Sequence, residues 1–282
     1  MDITTLAAII GALAAIVGAL ILLLSSLGIL KPRPPSIRVK KIETADDLDL
    51  SLALKLYNGN NRGIPENAKD SPENIVRWLQ EVQEETEQRC CRLKDYFLVA
   101  KVQERVYGLL YGHYYPERRL MFLSYIVTDE NVPEARGGDA SAALTQYLSR
   151  EWRKRLKDLE GIVFELDYER YSALKRLFLP LAQMQKVVVK EININYLQPM
   201  LSLWENGYQE ERQVLMYGRT LPPHLSTTIP RDEVKKVLGF IYMDIYGDYF
   251  GYNPDEDAKY RQYLEALYER VVAGLPEEIK VS

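Results

Sequence analysis

The chain has 282 residues, 47% of them hydrophobic, with 40 acidic against 36 basic side chains and a formal net charge of −4. The apolar fraction supports a sizeable core, and the acidic balance argues against a mainly nucleic-acid-binding surface, which wants a basic face. Cys90 and Cys91 are sequence neighbours and build no disulfide framework, which fits a reducing compartment; His113 and His224 lie far apart, and no Cys/His spacing resembles a metal site, so no metal is expected.

Ile3 to Leu30 carries no charged residue. As a helix this span reaches roughly 42 Å, more than the roughly 30 Å of a bilayer core, so it tilts or frays at Ser25-Ser26-Leu27-Gly28. A cleaved signal peptide fits less well: Asp2 stands where a basic residue belongs, the apolar stretch is long, and no A-x-A-like site precedes Lys31. Lys31, Arg33, Arg38, Lys40 and Lys41 follow at once, and the positive-inside rule puts that side in the cytoplasm. The expectation is a transmembrane helix over residues 1–30 in the cell membrane, a stiff Pro/basic spacer over 31–35, and a cytoplasmic remainder. Ala7, Gly11, Ala15 and Ala19 recur every four residues, a stripe that suits packing against another helix, a homo-oligomer included; small residues are also simply common in membrane helices, and both readings stand.

In the following stretch, Ile37, Val39 and Ile42 alternate with charged residues and predict a strand over Ser36–Thr44. Ala45-Asp46-Asp47 predicts a capped helix to Tyr57, Asn58–Lys69 a loop, and Asp70-Ser71-Pro72-Glu73 the start of a helix to Glu87. Strands are predicted over Asp95–Val102, Tyr107–Tyr115 and Leu120–Val127, with Glu104-Arg105 in the first tight turn. A long helix over Gly137–Lys157, a strand over Ile162–Leu166, a helix over Tyr171–Gln183 and strands over Val187–Ile194 and Arg212–Gly218 complete the order β-α-α-β-β-β-α-β-α-β-β. That order predicts a mixed α/β sheet.

Thr220–Pro230 reads as a linker, and the tail over 230–275 as helical with a break at Asn253-Pro254-Asp255. Tyr242, Tyr246, Tyr249 and Tyr252 fall on one helical face, and Tyr260, Tyr263 and Tyr268 continue the aromatic run. Two readings apply: a protein-contact surface, or helices packed on the sheet or on each other with phenol hydroxyls at the rim. The second is preferred.

The stretch LMFLSYIVTDENVPEARGGDASAALTQYL, residues 120–148, carries the most chemistry. An apolar strand runs into a polar turn, and Arg136-Gly137-Gly138 then opens an amphipathic helix. Free amides and a basic side chain at a helix N-terminus suit a phosphate or pyrophosphate.

With this element order, with LYNGNNRGIPENAKDSPENIVRWL spanning the first two helices, and with the strand–loop–helix at 120–148, residues 36–219 resemble the GNAT superfamily of acyl-CoA-dependent N-acetyltransferases. The resemblance implies an α/β (α+β) fold with a mixed, mainly antiparallel sheet flanked by helices, and residues 220–282 as a linker and helical extension. It also implies acetyl-CoA or another acyl-CoA as cofactor, and an amine as acceptor. The family's Arg/Gln-x-x-Gly-x-Gly/Ala loop holds the cofactor pyrophosphate. Arg136 matches its leading residue, while Asp139 and Ser141 replace the glycine and the Gly/Ala. The implied cofactor set is the backbone of Ile126 and Val127 along the pantetheine arm, with Arg136, Gly137, Gly138, Ala140 and Ser141 around the pyrophosphate. A carboxylate at Asp139 would repel a diphosphate by about 1 kcal/mol when solvated at 4 Å, unless Gly138 shifts the turn and Asp139 caps the helix.

Many family members use a tyrosine from an Asn-x-x-Ala-x-x-x-Tyr pattern after the fifth strand. Here Ala173 matches, while Arg170 and Leu177 take the Asn and Tyr places, leaving Tyr168 and Tyr171 nearby. Asp167 ends the strand where the family's sheet splays, and is a candidate base. The catalytic candidates are therefore Asp167 and Tyr171. The competing reading makes them ordinary strand-end and helix-start residues, with Glu165, Asp167 and Glu169 a solvated edge. Two functions follow: a membrane-anchored N-acyltransferase, or a catalytically silent GNAT-like domain serving as a membrane-tethered sensor or scaffold.

Overall fold

The computed structural model describes residues 37–59, 70–87, 94–129, 134–155, 158–167, 188–199, 208–219, 227–249 and 254–282. The predicted membrane segment and spacer, most of the predicted Asn58–Lys69 loop, and the predicted Tyr171–Gln183 helix lie outside the described residues. Among the described residues, no helix is long and apolar enough to cross a membrane.

Strand β1 (Arg38–Ile42) leads to helices α1 (Leu48–Gly59) and α2 (Pro72–Glu87). Asp47 Oδ1 accepts the Asp49 N–H at 3.0 Å and caps α1, and Ser71 Oγ accepts the Asn74 N–H at 3.1 Å and caps α2. Pro72 opens α2, where a missing N–H costs nothing. Ile75, Trp78 and Leu79, on one face of α2, are buried.

Next comes a meander of β2 (Lys94–Val102), β3 (Arg105–Tyr115) and β4 (Leu120–Thr128), all antiparallel. The first turn is Gln103-Glu104, one residue earlier than predicted: Arg105 already pairs with Val102, and Gln103 takes the left-handed conformation at φ 54. Arg105 is drawn into the strand by an ion pair with Asp129 at 2.8 Å.

Helix α3 (Glu134–Arg155) carries the chain to β5 (Gly161–Asp167), which runs parallel to β4. The strand predicted over Val187–Ile194 is β6 (Val188–Glu191), and a separate β7 (Tyr196–Pro199) follows. Both pair with β8 (Glu210–Arg219), one beyond the other along its free edge. The interruption falls where Asn193 N–H turns away to Lys280 O at 3.1 Å and Ile192 bridges Val281.

The tail forms β9 (Thr228–Pro230), α4 (Arg231–Gly239), a π-helical segment over Phe240–Tyr249, α5 (Pro254–Ala273) and β10 (Glu278–Lys280), with β9 and β10 paired.

The main sheet has the order β1-β2-β3-β4-β5-β8-β6, with β7 also on β8; among its pairs only β4–β5 is parallel. Side chains alternate between two apolar layers. Ala140, Leu144 and Leu148 of α3 pack on Leu98, Leu110, Met121 and Phe164. The opposite face is covered by α1, α2 and the tail, in one cluster that runs from Leu50 and Ile75 to Phe240, Tyr242, Tyr246 and Tyr260. Of the two readings of the tyrosine-rich tail, packing holds for Tyr242, Tyr246 and Tyr260, which are at most 2% exposed. Tyr249 and Tyr252 have no described side chain.

Candidate functional site

Strands β4 and β5 stay together for only four residues, Leu120–Leu123 against Gly161–Phe164. Beyond that point β4 keeps β3, and β5 keeps β8, but the two no longer pair with each other. The cause is local. Tyr111 pairs with Tyr125 and Gly112 with Leu123, so Ser124 is an extra residue, a β-bulge that bends β4 and raises its twist. Gly112 makes the close pairing possible: a Cβ there would lie 2.8 Å from Leu123 Cδ2 and 2.9 Å from Phe122 O. Two strand edges therefore face an opening, Tyr125–Thr128 on one side and Glu165–Asp167 on the other. The Ser124 hydroxyl is buried there with no hydrogen-bond partner, which ordinarily costs about 1–3 kcal/mol.

On β5, Glu165 is the first residue past the last β4–β5 pair. Its carboxylate accepts one hydrogen bond from the Tyr196 hydroxyl on Oε1 and one from the Tyr246 hydroxyl on Oε2 at 2.8 Å. Gln198 Nε2 in turn donates to the Tyr246 hydroxyl at 2.9 Å, and the Tyr242 hydroxyl donates to Leu197 O at 2.6 Å. The Tyr196 and Tyr242 rings stack at 5.7 Å. Burial pushes the Glu165 carboxyl up to about 7, against the two phenol hydrogen bonds that pull it down. Burial and the nearby carboxylate push the Tyr196 and Tyr246 hydroxyls well above their ordinary range.

A second carboxyl sits beside the bulge on the β4 side. Asp70, just ahead of α2, accepts from the Tyr125 hydroxyl at 2.5 Å, and its own N–H donates back to that oxygen at 3.2 Å. The Tyr57 hydroxyl donates to Asp70 O at 3.2 Å, and the Tyr57 and Tyr125 rings meet edge-on at 5.0 Å. Burial raises Asp70 to about 7 as well, with the Tyr125 hydrogen bond opposing.

The expected site residues fall unevenly around this opening. Ile126 is partly buried on the α3 face and Val127 is buried on the other, both on the β4 segment past the bulge. Asp167 ends β5, partly exposed and two residues beyond Glu165, paired in register with Gln213. Tyr171 lies outside the described residues. Helix α3 begins at Glu134, not at the predicted Gly137. A glutamate in the first turn suits the helix dipole, which favours the earlier start. The four amides left open at that end thus belong to Glu134–Gly137. Arg136 and Gly137 stay within that first turn, while Gly138, Ala140 and Ser141 lie further in. Ala140 is fully buried, and a Cβ at Gly108 would meet its methyl at 3.4 Å. Ser141 O accepts the Thr145 hydroxyl at 2.7 Å, as befits helix interior.

Glu165, Tyr196, Tyr246 and Asp70 were missed by the sequence reading. Glu165 alternates with Asp167 and Glu169 and looks like solvated edge; its two phenol partners are 31 and 81 residues away. Among the described residues, no group of three or more His, Cys, Asp or Glu could hold a metal ion.

No protein-family model and no curated protein matches the chain. Solved structures do resemble it. A GNAT-family acetyltransferase from Bacteroides thetaiotaomicron is 14% identical, covering 74% of this chain and 98% of that one, with a TM-score of 0.45. An N-acetyltransferase from Staphylococcus aureus is 14% identical, covering 65% and 96%, at 0.42. The catalytic domain of a Tetrahymena histone acetyltransferase, solved with coenzyme A, is 14% identical, covering 67% and 96%, at 0.39. These are likenesses of chain path to GNAT acetyltransferases, at identities too low to speak of substrate or reaction.

Proposed function

We propose that the chain is an N-acyltransferase that moves an acetyl or other acyl group from acyl-CoA to an amine. The observation that carries this reading is the parting of β4 and β5 at the Ser124 bulge after four parallel pairs. Strand edges exposed inside a fold leave amide groups in want of partners. A pantetheine arm, with its own amides, matches two such edges, and the unpartnered Ser124 hydroxyl adds one more polar group at the same place. The residues present thus fit the group. Ile126 and Val127 would meet the arm through their backbone, and the open end of α3, with Arg136 and Gly137, would meet the pyrophosphate.

When bound, acyl-CoA supplies the thioester acyl group. Glu165 takes a proton from the acceptor ammonium; its raised pKa leaves it a competent acceptor near neutral pH. The freed amine forms the C–N bond as the C–S bond breaks, and the departing thiolate is protonated. Asp167 and Tyr171 remain candidates for that last proton.

The test is a titration of coenzyme A and acetyl-CoA into the full chain in detergent, read by calorimetry. Binding is expected, weakened about tenfold by Arg136→Ala, as befits losing one charged hydrogen bond of about 1.5 kcal/mol. No binding at millimolar cofactor would sink the reading; binding unchanged in the variant would remove Arg136 from the site. Asp139, Ser141 and Leu177 favour the second reading, a silent sensor or scaffold, whose signature is tight binding without turnover over a panel of amines.

The same proposal places the domain at the cytoplasmic face of the cell membrane, tethered by residues 3–30. Support comes from the uncharged run and the basic residues that follow it. A reporter fused after Ser282 should be active in the cytoplasm; activity on the outer side would overturn that topology.

A further inference from the structure

The π-helical segment over Phe240–Tyr249 lies outside the part of the chain that resembles an acyltransferase, yet it is tied to the β5 carboxyl. A π-helix is rare, and ten consecutive residues of it are unusual, since such turns mostly occur singly and often at functional sites. Irregular backbone persists where its surroundings over-determine it, and the ties here are specific. Tyr242 reaches Leu197 O, Tyr246 reaches Glu165, and between them Asp244 receives Arg118 through two hydrogen bonds of 2.5 and 3.0 Å. The Asp244 carbonyl accepts the Tyr115 hydroxyl at 3.0 Å, and the Tyr115 and Phe240 rings meet edge-on at 5.2 Å. One side of the segment is thus clamped to the β3–β4 end of the sheet. The other side presents two phenols to β5 and β7.

We infer that the π-helical segment completes the reaction site, with Tyr246 as a positioning residue that holds the Glu165 carboxyl at the parting of β4 and β5. The inference rests on the acyl-transfer reading for the use of that carboxyl, but not for its geometry. Glu165 has four lone-pair sites to satisfy. Tyr196 from β7 takes one oxygen and Tyr246 the other, so the plane of the carboxyl is fixed from two elements. Gln198 donates to the Tyr246 oxygen and so orients that phenol to donate onward to Glu165. Without Tyr246 one oxygen of Glu165 loses its donor, and the charged form loses half of its direct support.

The groups facing Glu165 are few. Tyr196 comes from β7 and Tyr246 and Tyr242 from the π-helical segment; its register neighbour on β8 is the apolar Leu215. Tyr260 of α5 acts on Tyr246, and Tyr263 and Arg270 of α5 act on Tyr242, one layer further out. Tyr246 and Tyr196 both stabilise the ionised carboxylate, so removing either hydroxyl moves its titration upward.

Difference infrared spectroscopy, full chain against Glu165→Gln, reads the protonated carboxyl directly over pH. In a Tyr246→Phe background the midpoint should rise by about one pH unit, the equivalent of losing one hydrogen bond to a charged group. The acidic limb of kcat/KM should move by the same amount, with coenzyme A affinity unchanged. Gln198→Met, which keeps the ring and the fold, should shift the midpoint in the same direction by less. A midpoint that stays or falls in both variants would overturn the positioning role. A shifted infrared midpoint in a protein with no transferase activity would overturn the acyl-transfer reading alone, so the two failures are distinguishable.

Discussion

Glu165→Gln lowers acyl transfer by about 10² to 10⁴-fold, the usual worth of a positioned general base, while leaving coenzyme A affinity within a factor of two or so of the parent, the span of roughly half a kcal/mol. Glutamine keeps the shape of the side chain and can still accept the Tyr196 and Tyr246 hydrogen bonds on its oxygen, so the fold around it is retained. What it loses is the capacity to take a proton. The comparison is made in single-turnover experiments across pH 6 to 9, where the variant should lose the acidic limb that the parent shows near the raised carboxyl value of about 7. Equal rates for parent and variant would take Glu165 out of the chemistry and return attention to Asp167.

Asp70→Asn makes the protein more stable at pH 8, by up to about 4 kcal/mol relative to the parent. Burial raises this carboxyl from 3.8 to about 7 in the folded chain. Between those values the folded state holds a proton that the unfolded state has released, so folding stability falls as pH rises from about 4 to about 7. Below that window both states are protonated and the parent loses nothing. Above it the parent carries a desolvated charge beside Tyr125 and Tyr57, with the Tyr125 hydrogen bond as partial offset. Asparagine cannot ionise and still accepts from the Tyr125 hydroxyl. Urea midpoints should therefore be nearly equal at pH 4 and separate at pH 8, with the variant higher. A variant that is weaker at pH 8 would mean that Tyr125 needs the ionised partner.

Elements with a strong local pattern were legible in the sequence. The alternation in β1 to β4, the caps at Asp47 and Ser71, and the periodic buried face of α2 all rest on residues within a few positions of one another. Non-local pairing was not legible. Strand β8 enters the sheet between β5 and β6 because it satisfies edges on both sides, and nothing in residues 210–219 alone says so. The break between β6 and β7 depends on hydrogen bonds to Lys280 and on the bridge to Val281, some ninety residues away. The start of α3 was read too late because Gly137-Gly138 looks like a loop, while Glu134 already satisfies the helix dipole.

The candidate site divides in the same way. The phosphate-suited helix end and the strand that leads to it are contiguous, and Arg136 with Gly137 keeps its place there. The acid–base groups are not contiguous. Asp70 meets Tyr125 across 55 residues, and Glu165 meets Tyr246 across 81. A lone carboxylate in an alternating strand carries no mark of burial until its partners arrive from other elements. The tyrosines of the tail were visible as a face, but what that face met was not.

An α-helix gains one π turn when its chain gains one residue, so the length of residues 240–249 works as a vernier. Removing a single residue there would let the helix relax to i→i+4 bonding and rotate everything after the deletion by about 100°. Tyr246 would swing off β5 while Tyr242 kept its hold on Leu197. Length variation in this segment, more than any substitution at its surface, is where the chain's acid–base setting can be retuned without touching the sheet.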